Sequence, residues 1–326
     1  MKLFQILQLV IIAIVFFSCS LTAEETENLF TFSNSLEVPI IRGNLKNDDR
    51  NHWQYRLWAV PYGNWAELQS DDAALGFYSN AFGFMAGFDR KWNQRIFWNW
   101  GAGGSWISAN GTRNSGDKEI DAFKTKWEAV WNADEWRFKI GGGYGYNSQK
   151  TLREDFSRTF CGRNHANQWG GFSEFQLNIG SGLFQMEPFV AVDYFNLSEN
   201  GFTERQISGD GIARTSERTS KSSFNTTLGV RYRWRQTGRL VIWRPELSAA
   251  WSHEFHSDEI FRSSRLDPFP TLYTFSGNVQ PRDRLIFSVG IIGNLGQSMD
   301  IFARYDADFV NDYNAHAVLC GTTWYF

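Results

Sequence analysis

Two closely spaced histidines are the first candidates for chemistry. The stretch HEFH places His253 and His256 three residues apart, a spacing that could suggest a metal site. On a β-strand, however, positions three apart point to opposite faces, and the sequence contains no HExxH motif. We therefore expect no metal ion to bind here.

Glycine-rich stretches and cysteines offer two further kinds of chemistry. GAGGSW at 101–106 and GGGYG at 141–145 resemble nucleotide-binding loops as strings, but neither leads from a buried strand into a helix. Cys161 and Cys320 are too few and too far apart for a disulfide framework, and we interpret both as incidental. The sequence predicts no cofactor.

An enzyme of lipase or protease type would need a nucleophile held beside a histidine. His165, in the stretch FCGRNHANQW, is the candidate base, and we place it in an outer loop beside Arg163 and Asn164. No nucleophile-bearing motif accompanies it. The chain is therefore expected not to be an enzyme, and catalysis remains only as the least favoured alternative.

Composition indicates which elements carry these residues. Aromatic side chains make up 17% of the chain, which has 29 glycines, 7 prolines and a mean hydropathy of −0.39. This composition suits long β-strands better than a helical core. The net charge is −3 and no block of basic residues recurs on one face, which argues against nucleic acid as a partner.

An alternation with a period of two runs along the chain. In SSFNTTLGVRYRWR, residues 222–235, Phe224, Leu228 and Trp234 fall on one face and three arginines on the other. Every such segment reaches the ~9–11 residues that a tilted transmembrane strand needs. The predicted strands are 52–64, 75–89, 94–106, 119–131, 135–147, 168–180, 185–196, 222–235, 240–255, 284–295, 298–309 and 315–326.

The connections between the predicted strands alternate in length. Tight turns are predicted near 90–94, 132–134, 181–184, 236–239 and 296–297. Long polar connections are predicted at 107–118, 148–167, 197–221 and 256–283. Outer-membrane barrels have short periplasmic turns and long outer loops, so this alternation is typical of them.

The polar faces decide between a soluble barrel and a membrane barrel. Arg231, Arg233 and Arg235 share one face, and charges cannot be packed dry without partners. A hydrated lumen and a lipid-facing exterior accommodate both faces. The sequence therefore predicts an all-β fold, a transmembrane up-and-down antiparallel β-barrel of about 12 strands in the bacterial cell outer membrane, with lipid as a partner. Aromatic residues expected at the membrane interfaces include Trp131, Trp136, Trp243 and Trp324.

Charged residues on the predicted inward face are the candidate pore lining. Two interpretations remain open for them. They could form a mixed-sign network that pairs and stiffens a hydrated lumen, or a lining that admits an extended segment or small solutes and sets ion preference. The candidates are Lys124, Lys126, Glu128, Arg137, Lys139, Glu187, Asp193, Arg231, Arg233, Arg244, Glu246, Arg304 and Asp306.

The amino terminus has the layout of a secretory signal. One lysine precedes the apolar run 3–17, and small residues follow that run. We predict that residues 1–23 are a signal peptide, cleaved after Ala23 or Ser20. Lipidation at Cys19 and an uncleaved helical anchor are the alternatives.

The carboxy terminus ends in three aromatic residues. Trp324 and Phe326 fall on the outward face of the last predicted strand. A terminal phenylalanine after alternating outward residues resembles the signal by which bacterial outer-membrane barrels are handed to their assembly machinery. The resemblance implies that this machinery is a partner and that Trp324 and Phe326 form the assembly signal.

Several stretches resemble the β-barrel (translocator) domain of autotransporters. WAVPYGNWAEL at 58–68 is similar to that family's first strand, and GFMAGFDRKWNQRIFWNWGAGGSW at 83–106 is similar to its second and third. PFVAVDYFNLSENGFTE at 188–204 matches a Pro-Phe, Asp-Tyr-Phe and Gly-Phe-x-Glu sequence, and DIFARYDADFVNDYNAHAVLCGTTWYF at 300–326 continues in order. The resemblance covers residues 50–326 and implies a twelve-stranded type V secretion barrel that forms a hydrophilic pore.

A passenger domain normally lies between the signal and the barrel in this family. Here only residues 24–49 occupy that place, so we expect a barrel domain at 50–326 without a passenger of its own. Residues 24–49 would be a luminal plug or a linker. The alternative functions are those of a structural barrel or a porin-like barrel for small-solute diffusion, and the cargo stays unknown.

Overall fold

Long β-strands dominate the part of the chain that the structure describes. The computed structural model describes residues 54–68, 77–111, 117–155, 158–180, 183–208, 213–238, 241–257, 261–266, 272–276, 282–296, 298–310 and 313–326. The long strands are β1 (Tyr55–Leu68), β2 (Phe77–Lys91), β3 (Ile96–Gly111), β4 (Asp117–Asn132), β5 (Trp136–Asp155), β6 (Arg158–Leu177), β7 (Phe184–Glu199), β8 (Thr219–Trp234), β9 (Val241–Ser257), β10 (Asp283–Leu295), β11 (Met299–Val310) and β12 (Tyr313–Tyr325). Each predicted strand overlaps one of them, which confirms the predicted number and order of strands.

The long strands form one closed antiparallel meander. Each pairs with the strand before it and the strand after it. The sheet closes because β12 pairs with β1, from Arg56↔Tyr325 to Leu68↔Tyr313. Closure pairs the backbone groups that an open edge would leave unsatisfied, as a membrane-spanning sheet requires. The predicted up-and-down barrel is therefore confirmed.

Tight connections lie at one end of the barrel, which we call the turn end. They are residues 92–95, 133–135, 178–183, 235–240 and 296–298, in agreement with the predicted tight turns. In the first of them, the Asn93 side chain accepts hydrogen bonds from the backbone N–H groups of Arg95 and Ile96, both at 2.8 Å. In the last, Gly296 has a φ of 61°, a conformation that glycine adopts without steric cost.

The opposite end, which we call the loop end, differs from the sequence prediction. A long loop is predicted at 148–167, but β5 continues to Asp155 and β6 begins at Arg158. The predicted loop at 107–118 is shortened in the same way, because β3 and β4 both extend into it. These two predictions are wrong because a strand that rises beyond the membrane needs no apolar outward face, so its sequence resembles a polar loop.

The connections after β7 and β9 contribute structure outside the barrel wall. Their short strands pair into a four-stranded sheet, and a further short strand pairs with the loop end of β6. The four-stranded sheet consists of Phe202–Thr203, Arg214–Ser216, Phe261–Leu266 and Leu272–Ser276. The strand that pairs with β6 is Arg205–Ser208. At the turn end, the short strand Gln236–Thr237 pairs with β9. The outer connections are therefore folded against the rim of the barrel.

Alternation along each strand separates a lipid-compatible exterior from a polar interior. Outward positions expose large apolar side chains, for example Phe82 and Trp106, each at 69%, and Val289 at 51%. Soluble monomers rarely expose apolar patches of this extent, whereas lipid would cover them. Among the described residues, no helix is long and apolar enough to cross a membrane.

Candidate functional site

The barrel interior is the candidate functional site, and it contains the charged residues selected from the sequence. Each of them stands at an inward position of its strand. They are Lys124, Lys126 and Glu128 on β4, Arg137 and Lys139 on β5, Glu187 and Asp193 on β7, Arg231 and Arg233 on β8, Arg244 and Glu246 on β9, and Arg304 and Asp306 on β11. Strand register then decides which of these charges meet.

Two carboxylates hold Arg233 near the turn end of the lumen. One guanidinium nitrogen lies 2.7 Å from Glu187 Oε2, and Nε donates to Glu246 Oε2 over 2.5 Å. The three side chains come from neighbouring strands, because β8 lies between β7 and β9. Both carboxylates are buried, and a buried charge is tolerated when it is paired and hydrogen-bonded in this way.

A second arginine extends the same network toward the middle of the barrel. Arg231 donates to Gln176 Oε1 over 3.1 Å and lies 3.6 Å from Glu246 and 3.9 Å from Glu187. Its guanidinium also stands 5.0 Å above the ring of Phe189, a cation–π distance. The network therefore joins the strands from β6 to β9 across one wall of the lumen.

Shorter ion pairs continue around the charged wall. Lys139 on β5 and Glu174 on β6 are directly paired in register and approach to 2.6 Å. On β11, Arg304 lies 2.6 Å from Asp306 and also donates to Ser288 Oγ over 3.0 Å. The pairs are mixed in sign, as expected of a network that stiffens the lumen.

Several luminal charges are absent from the set selected on sequence. They are Arg56 and Asp89, which form an ion pair joined by Asn99 near the turn end, together with Glu174, Arg284 and Asp308. The alternation of inward and outward positions along each strand, which we call strand parity, identifies them as inward-facing. In the stretch FSEFQL, for example, Glu174 and Gln176 alternate with outward-facing apolar residues.

One patch on the inner faces of β12, β1, β2, β10 and β11 is apolar, although β10 and β11 also carry luminal charges. No sequence pattern predicted this patch. Its buried cluster consists of Trp58, Val60, Tyr62, Met85, Ile292, Phe302 and Leu319. Glycines on adjacent strands make room for the rings, since a Cβ on Gly83 would lie 2.2 Å from Tyr62 Cζ. A Cβ on Gly101 would likewise lie 2.5 Å from Trp58 Cη2. The lumen therefore contains an apolar patch, which we call the apolar wall, and a charged surface, which we call the charged wall.

A cavity lies between the two walls. Its volume is about 250 Å³, and it is bordered by Tyr62 and Met85 on the apolar side and by Lys126 and Arg231 on the charged side. Glycines 142, 143, 145, 170 and 171 also border it. Because glycine has no side chain, this part of the wall leaves the space open.

The outer connection after β7 is fastened to the β5–β6 hairpin by a buried carboxylate. Glu204 accepts from two nitrogens of Arg153, at 2.7 and 3.2 Å, and from the backbone N–H of Arg214 at 3.1 Å. Arg153 also lies over the ring of Phe160 at 4.3 Å. We call Arg153, Glu204 and Arg214 the outer clasp.

His165 lies on a strand, so its predicted place in an outer loop is wrong. It stands at an exposed outward position of β6, and its Nδ1 is hydrogen-bonded to the hydroxyl of Tyr146 over 2.7 Å. The two rings also stack with their centroids 5.4 Å apart. Within the described ranges, no group of three potential metal-ligating side chains comes together.

The terminal aromatic residues lie on the exterior. Trp324 and Phe326 are both exposed, and the Phe326 backbone N–H donates to the carbonyl of Tyr55 on β1 over 2.9 Å. The predicted interfacial residues Trp131, Trp136 and Trp243 each lie within two residues of the end of a strand. The exterior thus carries aromatic side chains at the turn end.

Comparisons with known proteins agree with this architecture. A family model described as the autotransporter beta-domain matches residues 57–306. The translocator domain of the autotransporter NalP from Neisseria meningitidis superposes with a TM-score of 0.69 at 14% identity, covering 87% of this chain and 92% of that one. The β domain of the Bordetella autotransporter BrkA gives a TM-score of 0.58 at 14% identity, covering 84% of this chain and 100% of that one.

Curated relatives extend the comparison to longer proteins. Two proteins named extracellular serine protease, both from Serratia marcescens, are 24% identical over 297 residues and 23% identical over 296 residues. Each alignment covers 86% of this chain and 26% of the relative, so the chain spans about a quarter of the length of these relatives. The family match covers most of the barrel, and the chain belongs to the autotransporter β-domain family, whose barrels lie in the bacterial outer membrane.

Proposed function

We propose that the barrel is a hydrophilic conduit of type V secretion, through which a polypeptide crosses the outer membrane. The observation that carries the proposal is the charged wall of the lumen, where Arg233 is held by Glu187 and Glu246 beside a central cavity. An apolar core would need no such network. Charges that are paired in place keep the lumen polar and rigid while lipid covers the exterior.

The cargo is the part of the proposal that depends on the relatives. The Serratia relatives are named as extracellular serine proteases, and this chain spans only about a quarter of their length. We propose a polypeptide cargo for this barrel on that basis. The barrel itself would supply a passage and not a catalytic step, and lipid and the barrel assembly machinery would be its partners.

Residues 24–49 are proposed to plug the lumen, and residues 1–23 to direct export as a signal peptide. Both segments lie outside the described residues. The apolar and charged walls of the lumen support a plug in physical terms, because an amphipathic segment could place apolar side chains against Trp58 and Leu319 and polar ones against the charged wall.

Single-channel conductance tests the conduit. The refolded chain from residue 24 onward would be compared in planar bilayers with a variant that lacks residues 24–49. We expect the longer form to be mostly closed and the shorter form to hold a steady open state, because the plug is gone. If both forms stay silent, the conduit is ruled out.

Small-solute diffusion is the second candidate, and the size of the cavity favours it. A volume of about 250 Å³ accommodates small solutes, whereas a polypeptide would require side chains to move aside. Under this alternative both forms would show the same small, steady conductance. The comparison of the two forms therefore distinguishes diffusion from a plugged conduit.

A further inference from the structure

The central cavity has a charged lining that is unbalanced in sign. Its basic side chains are Lys124, Lys126, Arg231, Arg284 and Arg304. The carboxylates that border the same cavity are Glu174 and Asp193. Both of these are engaged, since Glu174 lies 2.6 Å from Lys139 and Asp193 accepts from Asn225 over 3.0 Å. Positive charge therefore predominates on the surface that faces the cavity.

In three ion pairs at the cavity the carboxylate is less exposed than its basic partner. The side chain of Lys126 is 16% exposed and that of its partner Glu128 is 3% exposed. Arg284 is 16% exposed against 6% for Asp308, and the same order holds for Arg304 and Asp306, at 13% and 4%. In these pairs both side chains stand at inward positions, and the cation is the more exposed of the two. The ion pairs reduce the net charge of the charged wall, but the side chains exposed to the cavity remain mainly basic.

Two of the ion pairs at the cavity are long, whereas Arg304 lies close to Asp306. Lys126 lies 3.7 Å from Glu128, and Arg284 lies 3.6 Å from Asp308. Both distances exceed the 2.7–2.9 Å typical of a charge-assisted hydrogen bond. Ammonium and guanidinium groups present several N–H donors each, and guanidinium matches the geometry of oxyanions.

We propose that the cavity is an anion-binding site that makes the lumen selective for anions, with small inorganic oxyanions such as phosphate as its ligands. This inference rests on the proposed conduit. It adds that the conduit prefers anions and that the central cavity is where the preference arises. A charged constriction sets ion preference when cations or anions must pass close to it. Here the lining residues come from β4, β8, β10 and β11, so they surround the cavity from several sides.

The test is the zero-current potential under a KCl gradient, measured across bilayers that hold many copies either of the chain from residue 24 onward or of the form that lacks residues 24–49. We expect chloride to be more permeant than potassium by a factor of about three or more, because a cleft in which positive charge predominates raises the local concentration of anions. Inorganic phosphate should then reduce the chloride current. A triple variant, Lys124→Gln, Lys126→Gln and Arg284→Gln, should bring the permeability ratio close to unity and abolish the effect of phosphate.

Lys150→Gln is the matched control. It removes one positive charge where the triple variant removes three, but Lys150 is a partly exposed outward residue bound to Glu119, so the permeability ratio should stay at its wild-type value. The shift of the band between unheated and boiled samples on a gel would verify that each variant folds. Conductance with a ratio at or below unity would overturn the anion site alone. Bilayers that stay silent with every protein would overturn the conduit and the anion site together.

Discussion

Arg233 and Glu246 face each other at directly paired positions of β8 and β9, and Arg233 Nε donates to Glu246 Oε2 over 2.5 Å. The pair is possible because both residues have the inward parity of their strands. Glu187 on the other neighbouring strand completes the coordination of the same guanidinium at 2.7 Å. Strand register, more than proximity in sequence, thus assembles the polar wall of the lumen.

Removing the shared arginine should destabilise the barrel. Arg233→Met leaves Glu187 without its nearest cation and leaves Glu246 with the more distant Arg231. We expect a loss of about 2–3 kcal/mol in the free energy of unfolding, somewhat below the range for a dry interior because lumen water screens the charges. Urea unfolding of the reconstituted wild type and variant measures this difference in free energy. Arg218→Met, an exposed change in the outer connection, is the control and should have little effect.

The apolar wall should be sensitive to a single methyl group. In Gly83→Ala the new Cβ would lie 2.2 Å from the Tyr62 ring, whereas in Gly63→Ala the nearest atom would be 3.6 Å away in Phe82. We expect Gly83→Ala to cost about 1–3 kcal/mol, the usual range for overpacking. The thermal unfolding midpoints of the two variants, which lie on the neighbouring strands β2 and β1, measure this difference. Equal stability of the two would refute the close packing of Tyr62 on β2.

The outer clasp should hold the connection after β7 against proteolysis. Glu204→Gln removes the charge that Arg153 and Arg214 share. Hydrogen bonds to charged groups contribute about 1.5–3 kcal/mol, so we expect cleavage between residues 200 and 218 to become about tenfold faster. Limited digestion of the folded barrel with a nonspecific protease gives the rate. Glu217→Gln changes an exposed carboxylate in the same connection and should leave that rate unaltered.

A charged side chain at an outward position in the middle of a strand should destabilise the barrel, because such positions face lipid. Val289, at the middle of β10, is an exposed outward residue. Val289→Arg should destabilise the barrel in lipid vesicles by about 2–4 kcal/mol, the range for arginine near the bilayer midplane. Ser108→Arg, at an outward position close to the loop end of β3, should be much better tolerated. A similar cost at both depths would contradict a membrane-embedded wall.

The strands and the barrel were predictable because each strand has two chemically different faces. The alternation in 222–235 predicts β8 (Thr219–Trp234), and the last strand ends at Tyr325, one residue before its predicted end. What failed was the distinction between a loop and a strand outside the membrane. Lys150 and Arg163 are directly paired across β5 and β6 although the surrounding sequence is as polar as a loop.

The luminal charges were predictable in position but not in partnership. Sequence parity places Glu246 and Arg233 inside, but the pairing depends on a register that the sequence alone does not specify. The apolar wall was missed for a related reason. Trp58 and Tyr62 follow the inward parity of β1, yet an aromatic residue in a membrane barrel is expected outside unless a neighbouring glycine provides room for its ring.

The central claim is that water fills the inside of the wall and lipid covers the outside, and two adjacent threonines test it most directly. Thr227 borders the cavity and donates to Ser252 Oγ over 3.0 Å, whereas Thr226 has the outward parity of β8. Each would be changed to cysteine in the chain from residue 24 onward, which lacks Cys19, with Cys161 and Cys320 replaced by serine.

The proteins would be reconstituted into vesicles and treated with a charged, membrane-impermeant thiol reagent. We expect Thr227→Cys to be labelled and Thr226→Cys to be protected by lipid. Labelling of Thr226→Cys together with protection of Thr227→Cys, or protection of both, would contradict a hydrated lumen enclosed by a lipid-facing wall.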